Sequence, residues 1–176
     1  MELATKRMQV IFQDPFNSLD PKMKVSDILA EGLILHKKTD ARKKLGEILD
    51  LIRLPKDALD KYPHQFSGGE RQRIAIGRAV LTEPEFIVCD EPVSSLDVTI
   101  QLQILRLLKD IQKRFSMTYL FISHDLRVVK FMCDRVAVMH HGRIVEQGTV
   151  QRVYANPSHP YTRQLLSSIL EVYPQR

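Results

Sequence analysis

Apolar positions in this chain follow two patterns. Some form short unbroken runs; others recur every three or four residues. Gln9-Val10-Ile11-Phe12 predicts a short strand, ending at Gln13-Asp14-Pro15. Phe86-Ile87-Val88-Cys89, between Glu83-Pro84 and Pro92, predicts a strand buried on both faces. Tyr119-Leu120-Phe121-Ile122 predicts a second buried strand. Helical spacing links Val25, Ile28, Leu29, Gly32 and Leu33, and then Leu45, Ile48, Leu49 and Ile52 after a candidate cap at Thr39 or Asp40. Pro55 and Tyr62-Pro63 end that stretch. A further helix covers Ile74 to Thr82, and Ile104, Leu107, Leu108, Ile111 and Phe115 mark a long amphipathic one. Val136-Ala137-Val138-Met139 and Ile144-Val145 flank His141-Gly142, a hairpin pattern. Strands separated by helices predict an α/β fold around a parallel sheet.

Two of the strands end in chemistry. Asp90 and Glu91 follow the run at Cys89, and His124 follows the run at Ile122. Open parallel sheets bind ligands at the carboxyl ends of their strands. Two acids there are costly if unpaired, and a metal ion or a substrate needing a base gives them partners. Phe66-Ser67-Gly68-Gly69-Glu70-Arg71-Gln72-Arg73 precedes the Ile74 helix. Ser67-x-x-Glu70 is a capping box. The two glycines allow close backbone approach, and the amides and helix dipole suit an anion. Arg71 and Arg73 add positive charge.

Composition narrows the class. The length, 176 residues, fits one domain or part of one, and an apolar fraction of 44% can fill a core. No apolar run reaches membrane-spanning length, and the first seven residues are too polar for a secretory signal. Cys89 and Cys133 suit a reducing interior, with Cys89 expected in the core. The net charge of +5 is scattered over Lys and Arg, which reads as solvated surface and predicts no nucleic-acid partner.

Taken in order, Ser67-Gly68-Gly69-Glu70, the Phe86 to Glu91 run, Ser95-Leu96-Asp97 and Ser123-His124-Asp125 resemble four motifs of the ATP-binding cassette (ABC) nucleotide-binding domain. These are its signature, Walker B strand, D-loop and switch histidine. Gln13-Asp14-Pro15-Phe16-Asn17-Ser18-Leu19-Asp20-Pro21 resembles the long Q-loop of dipeptide and oligopeptide importers. Asn156-Pro157-Ser158-His159-Pro160-Tyr161 resembles their tail. The resemblance implies a P-loop NTPase-like fold, here incomplete: a parallel core sheet with flanking helices and an inserted helical subdomain. It divides the chain into strand and Q-loop (1–21), helical subdomain (22–65), the four motifs (66–150) and tail (151–176). It implies ATP and Mg2+ as cofactors of the complete domain. Glu91 becomes general base and His124 a contact to the γ-phosphate and attacking water. Asp90 and Gln13 attend the magnesium, Ser67, Gly68, Gly69 and Glu70 meet the partner's nucleotide, and Asp97 communicates across a dimer. The implied partners are transmembrane permease subunits and a second ABC ATPase subunit, at the cytoplasmic face of the cell membrane. The transported solute would be peptide, or nickel in a related subfamily. The family usually has Gln where this chain has Glu70. A carboxylate facing phosphate is unfavourable, so Glu70 is expected to turn back into its capping box.

A P-loop needs Gly-x-x-x-x-Gly-Lys before Ser or Thr, and none of the seven glycines precedes a lysine. In the family that loop lies before the Q-loop, so the chain is expected to begin after it, to hold no ATP tightly alone, and to leave the Phe86 strand with an unpaired edge or an exposed face. A non-hydrolytic docking or dimerisation remnant is the alternative function. A DNA-repair or chromosome-type ABC ATPase is disfavoured, because no sustained heptad run appears. The importer tail ends without a cysteine cluster, and no iron–sulfur cluster is expected.

Overall fold

A computed structural model describes residues 7–14, 18–35 and 41–171. The candidate cap at Thr39 or Asp40, and Pro15, Phe16 and Asn17 of the Q-loop, lie outside them. The chain separates into two units, Met1–Ile122 and Ser123–Arg176.

The first unit runs β1 (Met8–Ile11), α1 (Val25–Leu35), α2 (Ala41–Ile52), 3-10 turns at Lys56–Asp60 and Pro63–Gln65, α3 (Gly68–Val80), β2 (Phe86–Asp90), α4 (Val98–Phe115) and β3 (Thr118–Ile122). The strands form one parallel sheet in the order β1-β2-β3. Ile11 pairs with Cys89, and Cys89 with Phe121. α3 packs on α1, α2, α4 and β1, and supplies much of the core: Ile74, Ala75, Ile76, Ala79 and Val80 are all buried.

Only one face of this sheet is sealed. Ile11, Ile87 and Cys89 are buried, while β2 alternates half-buried with buried and β3 alternates exposed with half-buried. Leu120 and Ile122 are 51% and 46% exposed. This corrects the expectation of two-sided burial for the Phe86 run and of a buried strand at Tyr119. The reason is topological. Strand order follows chain order, so two right-handed crossovers in the same direction place all their helices on the same face. The expected defect is likewise a bare face rather than an unpaired edge: β2 pairs on both sides.

The second unit contains α5 (Leu126–Met132), the antiparallel hairpin of β4 (Arg135–His140) and β5 (Arg143–Thr149), α6 (Val150–Ala155) and α7 (Pro160–Glu171). The hairpin turns through His141 and Gly142, at φ 48° and 75°. Positive φ at both central residues gives the twist that a two-residue hairpin needs. Among the described residues, no helix is long and apolar enough to cross a membrane.

Candidate functional site

The rim at the carboxyl end of the sheet gathers several of the singled-out residues. Asp90 is the last residue of β2, on the bare face with Phe86 and Val88, and is half-buried. Glu91 follows in the left-handed region, at φ 46°. A non-glycine residue pays of order 1 kcal/mol or more for that conformation, and such residues concentrate at functional sites. The surroundings hold it there. Its N–H donates to Ile122 O at 3.0 Å, and its carbonyl accepts from the N–H and hydroxyl of Ser94, both at 3.2 Å. Gln13 leaves β1 at the same rim: it lies two residues beyond Ile11, as Glu91 lies two beyond its partner Cys89. Ser95 Oγ is 3.5 Å from Gln13 O, a long contact between the two loops.

The start of α3 abuts the turn that follows Glu91. A Cβ on Gly68 would lie 3.5 Å from Leu96, and one on Gly69 only 2.5 Å from Ile100, so the helix approaches this closely because residue 69 has no side chain. Asp97 caps α4, its carboxylate accepting from the Ile100 N–H at 3.0 Å. The capping box of α3 is formed as the sequence predicts. Glu70 Oε2 accepts from the Ser67 N–H at 2.9 Å and the Ser67 hydroxyl at 2.7 Å, and Ser67 Oγ accepts the Glu70 N–H at 3.4 Å. The Ser67 hydroxyl and amide bonds hold the Glu70 carboxyl below its usual range. Glu70 therefore turns back into the box, as expected.

Arg71 and Arg73 are both bonded within the fold. Arg71 Nε donates to Pro63 O at 2.7 Å. Arg73 is buried, and donates to Ile52 O, near the end of α2, at 3.2 Å and to Gln103 Oε1 at 3.0 Å. These guanidinium groups satisfy carbonyls and brace the helices. Arg78 similarly donates to Ser18 O at 2.7 Å, tying α3 to the loop after β1. Gln72 was not read as functional. It is 0% exposed, and neither polar atom of its carboxamide has a hydrogen-bond partner among the described residues. An unsatisfied buried group of this kind costs about 1–3 kcal/mol.

In the second unit His124 is exposed, two residues past the end of β3. Asp125 caps α5 and pairs with Arg127 at 2.7 Å, and these bonds hold its carboxyl below the usual range. The residue sequence reading missed is Glu146. It is 6% exposed and accepts from the Ser158 N–H (2.9 Å), the Ser158 hydroxyl (2.7 Å) and the His159 N–H (3.0 Å). The two backbone bonds, then the Ser158 hydroxyl, hold its carboxyl at about 2. Tyr161 stacks on His140, ring centroids 3.8 Å apart. The available signal was an acid on a β5 position opposite the buried Val138.

Comparison with known proteins identifies relatives of this chain. The ABC transporter family profile matches residues 1–94, and that of the oligopeptide/dipeptide transporter C-terminal region matches residues 145–176. The chain is 54% identical over 173 residues to the oligopeptide transport ATP-binding protein OppF of Streptococcus mutans, covering 96% of this chain and 56% of that protein. It is 51% identical over 168 residues to OppF of Bacillus subtilis, covering 93% and 55%. The chain thus spans about half the length of the curated relatives it matches. Among solved structures, cbiO1 from Clostridium perfringens, part of an ABC transporter complex, superposes with a TM-score of 0.76 at 26% identity, covering 96% of this chain and 64% of that one. A dimeric ATP-binding cassette bound to ADP and Pi superposes at 0.72 with 24% identity, covering 85% and 65%, and shares the fold. With a profile covering more than half of its residues and the same α/β fold in solved cassettes, the chain belongs to the ABC transporter family.

Proposed function

We propose that this chain is part of the ATP-hydrolysing subunit of an ABC importer that energises uptake of peptides, or of a related solute such as nickel. The observation that carries the proposal is the Asp90–Glu91 pair at the end of the central strand, with Glu91 in left-handed backbone. Support for peptide as cargo comes from the names of the OppF relatives and from the C-terminal match.

Asp90 and Gln13 offer oxygen ligands at one rim, which suits a magnesium ion that keeps most of its waters and is otherwise held by phosphate. Bound Mg-ATP supplies the phosphoryl group that is transferred to water. Glu91 orients the attacking water and takes its proton. By its motif, His124 would be the contact to the terminal phosphate. Ser67, Gly68 and Gly69 present the α3 N-terminus to the nucleotide of a second cassette, and Asp97 reports across that interface. The sequence contains no Gly-x-x-x-x-Gly-Lys, so the cradle for the β- and γ-phosphates comes from residues other than these. Permease subunits at the cytoplasmic face of the membrane are the partners driven by closure and opening.

A second reading is a non-hydrolytic module that docks on permease or on an intact cassette. Phosphate release by the native gene product separates the two. Magnesium-dependent release that an Asp90→Asn variant loses supports the ATPase, and no release beside normal docking supports the module.

A further inference from the structure

We infer that Gln72 is a positioning residue, whose carboxamide locks the start of α3 to the 94–97 turn when the site closes on nucleotide. The inference rests on the ATPase reading above. Gln72 lies one helical turn beyond Gly68 and Gly69. Helical side chains lean back toward the N-terminus, over the positions three and four residues earlier, so Gln72 overlies the two glycines. A Cβ on Gly68 would meet the Leu96 side chain and one on Gly69 that of Ile100, residues on either side of Asp97. A fully buried carboxamide therefore sits at the junction between the signature helix and the D-loop turn.

Among the described residues neither of its polar atoms has a partner. Buried polar groups are nearly always satisfied, and exceptions gather at functional or strained sites. The turn beside it meets the β1 loop through the long Ser95–Gln13 contact. A small shift of that turn brings its backbone N–H and C=O groups onto the carboxamide. Gln72 thus gains its bonds in the closed state and lacks them in the open one.

The consequence is a pair of effects with opposite signs. Methionine has nearly the same length and shape but no hydrogen-bonding head. Gln72→Met should lower the unfolding equilibrium constant of the full chain about tenfold, because an unpaired buried amide is removed. It should weaken Mg-ATP-dependent association of the chain with an intact OppF-type cassette by about tenfold or more. A residue with a merely structural role would lose both together. Gln72→Leu serves as a second variant. Destabilisation by both variants means that Gln72 is already bonded in the open state, through a buried water or the backbone, and overturns the inference. Increased stability with unchanged association also overturns it and leaves the ATPase reading standing. No Mg-ATP-dependent association of the unaltered chain, while the intact cassette self-associates under the same conditions, removes the ATPase reading and the inference with it.

Discussion

A carboxylate closes the start of α3, that of Glu70, and another closes the hairpin–tail junction, that of Glu146. Glu70 uses one oxygen, takes both of its bonds from Ser67, and does so at the surface. Glu146 uses both oxygens, takes three bonds from residues twelve and thirteen positions away, and is buried. The first arrangement is local and can open to another anion at little cost. The second is a fixed latch, because uncovering Glu146 leaves two backbone amides and a hydroxyl without their acceptor. The same residue type thus serves a working helix start in one unit and a permanent fastening in the other.

The strongest way to break the comparison is to remove the latch. Glu146→Ala should free the tail, so that trypsin cuts rapidly at Arg163 at neutral pH while the parent chain resists. Equal resistance would make Glu146 dispensable. Acid should act in the same direction. The carboxyl titrates near 4.5 when the tail is free and at about 2 when it is held. The latch therefore contributes its full stability above about pH 4.5 and loses it progressively as pH falls toward 2. Tail cleavage by an acid-tolerant protease should rise across that window, and a flat profile would contradict the assignment.

Effects at α3 should be smaller. Ser67→Ala removes the cap and should lower stability by about 1 kcal/mol in denaturant unfolding. Glu70→Gln keeps the geometry of the box but removes a charge from the helix start. It should lower helix stability by about 0.3–1 kcal/mol and raise affinity for phosphate-bearing ligands by about two- to fivefold, because the same charge repels them. Weaker phosphate affinity in Glu70→Gln would show that the carboxylate is a ligand rather than a competitor.

Much of this was legible in the sequence where the determinant is local. Ser67-x-x-Glu70 states its own cap, His141-Gly142 its own turn, and the run into Asp90-Glu91 its own strand end. What could not be read depends on which elements meet. The apolar run of Phe86 to Cys89 looks alike whether helices cover one face or two, and only the strand order fixes the answer. Arg71 and Arg73 read as positive charge beside the glycines, and the carbonyls they also satisfy, of Pro63 and Ile52, come from elements the local pattern does not name. Gln72 stands between Arg71 and Arg73, and Glu146 precedes Gln147, so each reads as ordinary polar surface and burial alone reveals it. The sealed and bare faces of the sheet are separable by experiment. Ile87→Ala should cost about 2–5 kcal/mol in denaturant unfolding, and Leu120→Ala under about 1 kcal/mol.

The central claim is that the acid held in left-handed backbone at the end of β2 activates water for phosphoryl transfer. The most direct measurement takes Glu91→Gln in the native gene product and follows nucleotide retention and phosphate release together. The account predicts that ATP stays bound while release falls about 10²–10⁴-fold. Near-normal release with ATP bound would contradict it.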